Sequence, residues 1–435
     1  MDMGKRFGTV GCCLFLLAGF LSAQGLSVDT FVRAEVVTFH EQEGEGGPRP
    51  AMGWTGSYDP AEAGATATNF QEAVLHRVNY YRALGGMPAD ITIRQEWVEK
   101  AQEAAFMMST NNALSHGPPP DWDNYTADGA EAAGSSNLAL GSSGWDAIDG
   151  YMRDPGAGNT AVGHRRWILY PWTQQMATGD VPPDAGFRHA NALWVFDTDN
   201  WPSFFNQLPR PATRTEYVAW PPRGFVPHNV VFPRWSFGLQ EADFSQASVS
   251  MTRDGQSIPV QLEPYAGGFG DDTLVWLYDN EGPNDPPHPA PAGDLDYTVT
   301  VEDVQVNGQD RDFTYTVTVI DPAKPPSHGN GYLPHYTELG GGWKWNSLLR
   351  SYSDLNFPIL YTASHGWWYA GGPGAEADTY WFYDYQLGWL YTSEAAYPYC
   401  YLASDALWIW FELAATDPRY YREVVSGNWR QVPRS

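Results

Sequence analysis

Apolar residues recur at helical spacing in the first third of the chain and alternate with polar ones over much of the rest. Phe70, Val74, Leu75, Val78 and Tyr81 fall on one stripe that stops at Gly85-Gly86 and Pro88, which predicts a helix. Trp97, Ala101, Ala104, Ala105 and Met108 mark the buried side of a second helix over Gln95 to Asn111, and a third, short helix is predicted around Gly144 to Arg153. Short strands at Asn137 to Leu140 and Ala192 to Phe196 alternate with these helices. A layered α/β or α+β domain is therefore expected over roughly residues 66–215. Residues 24–65 lack a helical period and contain Glu41-Gln42-Glu43-Gly44-Glu45-Gly46-Gly47-Pro48, which reads as an extended arm or linker.

After about residue 218 the period shortens to two. Ser248-Val249-Ser250-Met251-Thr252 alternates and runs into Asp254-Gly255, a hairpin signal. Thr273 to Leu277, Tyr297 to Val301 and Phe313 to Val319 read as further strands, with Asn307-Gly308 as a second tight turn. No helical pattern interrupts the run, so an immunoglobulin-like β-sandwich is expected over 218–321. Asp294-Leu295-Asp296-Tyr297 is similar to the tyrosine corner of such sandwiches.

Asp321-Pro322-Ala323-Lys324-Pro325-Pro326 marks a linker. Beyond it nine of the 20 Trp and 14 of the 25 Tyr lie between Tyr332 and Ser435, so residues 330–435 are expected to form a compact, aromatic-rich β module. It resembles a Trp- and Tyr-rich C-terminal module of exported proteins from environmental bacteria. Adjacent aromatics such as Trp367-Trp368 would fill both faces of a small sheet and pack its core. A row of outward rings would instead make a platform for sugars, with Trp367-Trp368 and Tyr383 as first candidates.

Length and charge narrow the reading. The 435 residues imply about two to four domains, since single cores seldom pass about 250–300 residues. A formal net charge of −26 excludes nucleic acid as a partner and argues against adsorption to anionic membranes. Lys5 and Arg6 precede an apolar stretch from Cys12 to Leu21 that is too short to span a bilayer, and Ala23 and Gly25 offer small residues for cleavage. Residues 1–23 thus read as a secretory signal peptide, with an uncleaved anchor as the alternative; cleavage leaves no transmembrane segment and points to a secreted, extracellular or cell-surface protein. Removing Cys12 and Cys13 leaves Cys400 as the single cysteine, so no intramolecular disulfide can form.

Five short pieces in order carry the candidate chemistry: Asn79-Tyr80-Tyr81-Arg82, Leu114-Ser115-His116, Ser136-Asn137-Leu138-Ala139, the segment Ala147 to Asp154, and Gly163-His164-Arg165-Arg166-Trp167-Ile168-Leu169. Together they resemble the CAP superfamily (cysteine-rich secretory, antigen-5 and pathogenesis-related proteins), in particular its bacterial members. The resemblance covers about a third of the chain and implies an α-β-α sandwich with a broad cleft where two His and two acidic residues converge. The whole chain is then multidomain: a CAP-like α-β-α sandwich, a β-sandwich and a β-rich C-terminal module.

His116 and His164 match the family's His positions, and the resemblance implies that they can bind zinc. Ser136 stands where the family has Glu, with Glu131 upstream as a substitute, and Asp154 matches the second acidic position with a shorter side chain. Each His also has a structural explanation, His116 as a cap of the second helix and His164 as an anchor of the helix it opens. Asn79 and Arg82 read as packing residues, and Arg165 and Arg166 as structural salt-bridge partners. Asp121, Asp123 and Asp128 lack the glycine and terminal Glu of a calcium loop and read as a solvated acidic loop. No nucleophile elbow, P-loop, dinucleotide fingerprint or His-Glu-x-x-His is present. These features point to a binding protein whose His-lined cleft takes an extracellular protein, lipid or glycan. A metal-dependent, peptidase-like hydrolase using the His pair and a structural surface-layer component are the alternatives.

Overall fold

The computed structural model describes residues 25–184, 186–203, 208–324, 333, 336–374, 379–414 and 417–434. The expected signal peptide, with Cys12 and Cys13, lies outside them. The segment expected to be an extended arm contains α1 (Arg33–Phe39), a π-helical turn over His40–Glu45, and a small hairpin of β1 (Ser57–Tyr58) and β2 (Ala61–Glu62). Only Val36 and Phe39 give α1 an apolar side, too few to show a period in the sequence. Tertiary contacts hold it instead. Arg33 is buried and forks onto Asp294 at 3.0 Å, and Thr30 accepts a hydrogen bond from the Phe225 backbone at 2.7 Å.

The two predicted helical stripes form α2 (Thr68–Gly85) and α3 (Gln95–Thr110). A third helix, α4 (Ala127–Ser135), was not foreseen; Thr126 caps it by accepting from the Gly129 N–H. It takes in Asp128, the end of the acidic stretch that reads as a solvated loop in the sequence. Helix α5 (Gly144–Arg153) lies where expected, and the buried Asp180 carboxylate accepts from its first N–H at 2.6 Å. Helix α6 (Gly163–Ile168) follows.

Among the described residues, β3 (Thr92–Ile93), β4 (Ser136–Leu140), β5 (Gln175–Val181) and β6 (Ala190–Trp194) form one sheet in the order β3-β5-β6-β4. Its residues alternate between two cores. Leu138, Ala177, Ala192 and Trp194 pack with Ala104, Ala105 and Met108 of α3 and Ala132 and Ala133 of α4. Met176, Leu193 and Val195 pack with Val74, Val78 and Leu84 of α2 and Ile148 and Met152 of α5. Helix α3 comes so close to β5 that a Cβ on Gly179 would stand 2.1 Å from the Ala101 backbone.

The alternating region builds ten strands: β7 (Val218–Trp220), β8 (Gly224–Pro227), β9 (Arg234–Gly238), β10 (Ala242–Asp243), β11 (Ser248–Arg253), β12 (Gln256–Ile258), β13 (Val260–Leu262), β14 (Thr273–Tyr278), β15 (Leu295–Val306) and β16 (Gln309–Ile320). They form two sheets, β12-β11-β15-β16-β8 with β10 beside β15, and β13-β14-β9-β7. Asp254-Gly255 and Asn307-Gly308 make the predicted turns between β11 and β12 and between β15 and β16. Trp235, Phe237, Trp276, Val299 and Tyr315 share one core with α2 and α5, so this region and the helical domain are packed as one body.

The aromatic tail is an antiparallel meander in which each strand pairs only with its sequence neighbours: β17 (Thr337–Gly340), β18 (Trp343–Asn346), β19 (Arg350–Asn356), β20 (Ile359–Thr362), β21 (Gly366–Gly374), β22 (Thr379–Asp384), β23 (Gly388–Thr392), β24 (Tyr399–Leu402), β25 (Leu407–Phe411), β26 (Arg419–Glu423) and β27 (Trp429–Val432). The sheet curls until its late strands meet its early ones. Buried Arg419 of β26 pairs with Asp384 of β22, and Arg434 donates to the Ala363 carbonyl at 2.6 Å. Leu360, Trp368, Phe382, Leu390, Cys400, Ile409 and Phe411 fill the inside.

Candidate functional site

Asp154 ends α5 in the left-handed conformation (φ 50°), which Asp adopts more readily than most residues. Its carboxylate is buried and accepts two hydrogen bonds from His164, one from the backbone N–H at 3.1 Å and one from ring Nδ1 at 2.8 Å. With Nδ1 donating to the carboxylate, the lone pair of the neutral ring sits on Nε2. The imidazole stacks on Tyr151 with centroids 5.4 Å apart, and 28% of its side chain remains exposed.

The end of α4 and the start of β4 contact both predicted His residues. Asn137 donates to the His164 carbonyl at 3.0 Å, and the Tyr151 hydroxyl fixes this strand from between two acceptors, the Asn191 Oδ1 at 2.8 Å and the Asn137 carbonyl at 3.0 Å. His116 lies exposed in the loop after α3, and its Nδ1 meets the Ala133 carbonyl at 2.9 Å. A carbonyl can only accept, so the His116 proton is on Nδ1 and its Nε2 also carries the lone pair. Between these anchors Ser136 is buried, and its hydroxyl has no hydrogen-bond partner among the described residues.

Glu131 does not join this group. It lies on the exposed side of α4 and pairs with Lys100 at 2.6 Å, alongside Asp128. Among the described residues no three His, Cys, Asp or Glu side chains converge in a way that could hold a metal ion. His116 and His164 each have a ring tautomer suited to a metal, but Ser136 supplies only a hydroxyl where a carboxylate would complete the set. The donors therefore fit at most a weak, open two-His contact and not a closed centre.

Residues 75–197, which include His116, Ser136, Asp154 and His164, match the family model described as CAP, Cysteine-rich secretory protein family. This part of the chain is a CAP domain. No curated protein matches the chain. The packing roles expected for the CAP motif hold: Asn79 exchanges hydrogen bonds with the Ile91 backbone, and buried Arg82 donates to the carbonyls of Pro88, Ile168, Tyr170 and Thr173.

Arg165 and Arg166 correct the sequence reading. They were expected in salt bridges, yet both donate mainly to carbonyls. Arg165 reaches Met152, Arg234 and the Ser236 hydroxyl, and Arg166 reaches Ala266 and Asp271. Apart from Met152 of α5, these receptors come from the β-sandwich, which thus backs the CAP domain next to His164. Arg234 of β9 closes the arrangement by donating to the Asp154 carbonyl at 3.0 Å while pairing with Glu263. Tyr151, Asn137 and Arg234 all position the His164–Asp154 pair. Asn137 and Tyr151 stood inside recognised motif pieces without an assigned role, and nothing in the sequence around Arg234 signals one.

Proposed function

We propose that the chain is an exported CAP-domain protein that binds an extracellular ligand in a cleft bearing His116, Ser136, Asp154 and His164. In this reading the CAP domain is an α-β-α sandwich, and residues 218–321 form an immunoglobulin-like spacer locked to it. Export rests on the basic and apolar N-terminal pattern. No helix among the described residues is long and apolar enough to cross a membrane.

One observation carries the reading. Both imidazoles spend their Nδ1 protons inward, on Ala133 and Asp154, which leaves the Nε2 of each neutral ring as an acceptor. A ligand with hydroxyl, amide or ammonium donors meets that set directly. Zinc would be held by His116 and His164 and would supply a Lewis acid there.

Zinc also serves as a probe for the pair. Calorimetric titration is expected to give weak binding to the wild-type protein and none to His116→Ala/His164→Ala, with equal melting temperatures for the two. The same zinc affinity in both proteins would remove the pair from the cleft.

A second reading, a hydrolase, is favoured by the carboxylate-oriented imidazole, the arrangement of a general base. Peptide cleavage by the wild type that disappears in Asp154→Ala would promote it over binding.

A further inference from the structure

We infer that the outward face of β22–β25 in the C-terminal module is a binding platform for an uncharged polysaccharide. This inference is independent of the CAP cleft. Alternation along these strands sends one set of side chains inward and the other out. Leu390, Leu402 and Ile409 go in, together with Cys400 and Phe411. Every outward position is Trp or Tyr, Thr379 apart. The inward set mixes aliphatic residues with the aromatic Tyr380, Phe382 and Phe411, whereas the outward set is aromatic throughout apart from Thr379, a uniformity that packing of the core does not require.

The outward rings form one strip. Tyr383 touches Trp389 (5.4 Å between centroids), Trp389 touches Trp381 (6.5 Å), Trp381 touches Tyr391 (5.3 Å), Tyr391 touches Trp408 (6.2 Å) and Trp408 touches Tyr401 (5.8 Å). Tyr383, Trp389 and Trp408 stay 36–38% exposed. On the neighbouring strand Gly371 leaves room for this arrangement, because a Cβ there would come within 2.7 Å of the Trp389 ring. The Tyr383, Tyr391 and Tyr401 hydroxyls make no hydrogen bond among the described residues.

Charge selects the occupant. The one charged residue within β22–β25, Asp384, is turned inside, where Arg419 and the Trp368 Nε1–H (2.7 Å) take it up. The strip therefore carries no formal charge of its own, on a chain whose net charge is −26; Arg422 of β26, opposite Trp410, flanks its edge. An anionic polymer is repelled by the chain, and a cationic one finds no carboxylate on the strip. A neutral sugar chain matches both features: its C–H faces stack on the rings, and its hydroxyls meet the open tyrosine hydroxyls.

The test is affinity electrophoresis of the full chain through gels containing xylan, mannan or hydroxyethylcellulose, with alginate as the charged control, and pull-down on insoluble cellulose and chitin. Retention is expected on at least one neutral polymer and not on alginate. Trp389→Ala/Tyr391→Ala should weaken retention about tenfold or more. His116→Ala/His164→Ala should not change it, which separates this inference from the cleft. If the double aromatic variant does not fold by circular dichroism, Tyr383→Ala and Trp408→Ala singly serve instead. Four outcomes overturn the inference: no retention on any neutral polymer, equal retention on alginate, retention unchanged by the aromatic variants, or sedimentation showing that the strip is covered by a second copy of the chain.

Discussion

Arg165 donates a hydrogen bond to the carbonyl of Arg234 at 2.8 Å, across the boundary between the CAP domain and the β-sandwich. Arg234 sends one back to the carbonyl of Asp154, the residue that orients His164. Both guanidinium groups are buried, so each cation loses an acceptor if the two parts separate. The CAP site is therefore built by two domains, and its geometry depends on residues outside the matched region.

Arg234→Ala tests this dependence. It leaves Glu263 without its partner, in a pair whose side chains are 2% and 9% exposed, and frees the Asp154 carbonyl. Breaking a buried pair costs about 3–5 kcal/mol. Urea unfolding is expected to shift to a lower midpoint while tryptophan fluorescence and far-ultraviolet circular dichroism still change together. Two separated transitions in the wild type would show that the CAP domain and the sandwich stand independently.

Asp154→Ala removes the acceptor for both His164 bonds. The cost is about 1–3 kcal/mol, because a backbone N–H and a ring N–H lose their partner. The more direct readout is the nitrogen-15 spectrum of the imidazole. Wild type should show His164 as the single Nδ1–H tautomer, and the variant a mixture; a single tautomer in both would deny Asp154 its orienting role.

Gly179→Ala probes the contact between α3 and β5. The new Cβ would meet the Ala101 backbone at 2.1 Å, where no side-chain rotation gives relief. A loss of about 3 kcal/mol or more is expected in thermal or urea unfolding. Near-wild-type stability would mean that the helix moves away from the sheet at little cost.

What the sequence revealed follows from how local the determinants are. Helices α2 and α3 were legible because large apolar residues mark one stripe. Helix α4 was not, because its buried side is Ala132 and Ala133 against Ala104 and Ala105, and small residues on small residues leave no hydrophobic period. The motif pieces located His116, Asp154 and His164. They could not show that Glu131 faces Lys100, 31 residues away, or that the Arg234 carbonyl receiving Arg165 lies on a strand of another sheet. In the tail, alternation was visible, but only the register decides that Trp368 is core and Trp367 faces out.

Stability should fall in acid. Burial lowers the pKa of His40 from 6.5 to about 4, where its Nδ1 faces the Tyr80 hydroxyl at 2.7 Å; burial likewise lowers that of His365 to about 3. The unfolded chain takes up these protons near pH 6.5 and the folded chain does not. Stability is thus full above pH 6.5 and declines as pH falls from 6.5 toward 4, by ~3 kcal/mol for His40. Melting temperatures measured from pH 7 to pH 4 should follow this slope, and His40→Gln should flatten it. An equally steep slope in the variant would assign the effect to other groups.

The pairing of Arg33 with Asp294 spans 261 positions, and the same guanidinium also donates to the carbonyls of Asp321 and Lys324. During synthesis α1 emerges well before its receptor, which comes only with the last strands of the sandwich. The early segment must wait, unpaired, for almost three hundred residues of chain. The CAP domain gains its final support late, so a product that stops short of β16 would keep the motif residues and still lack the architecture that orients them.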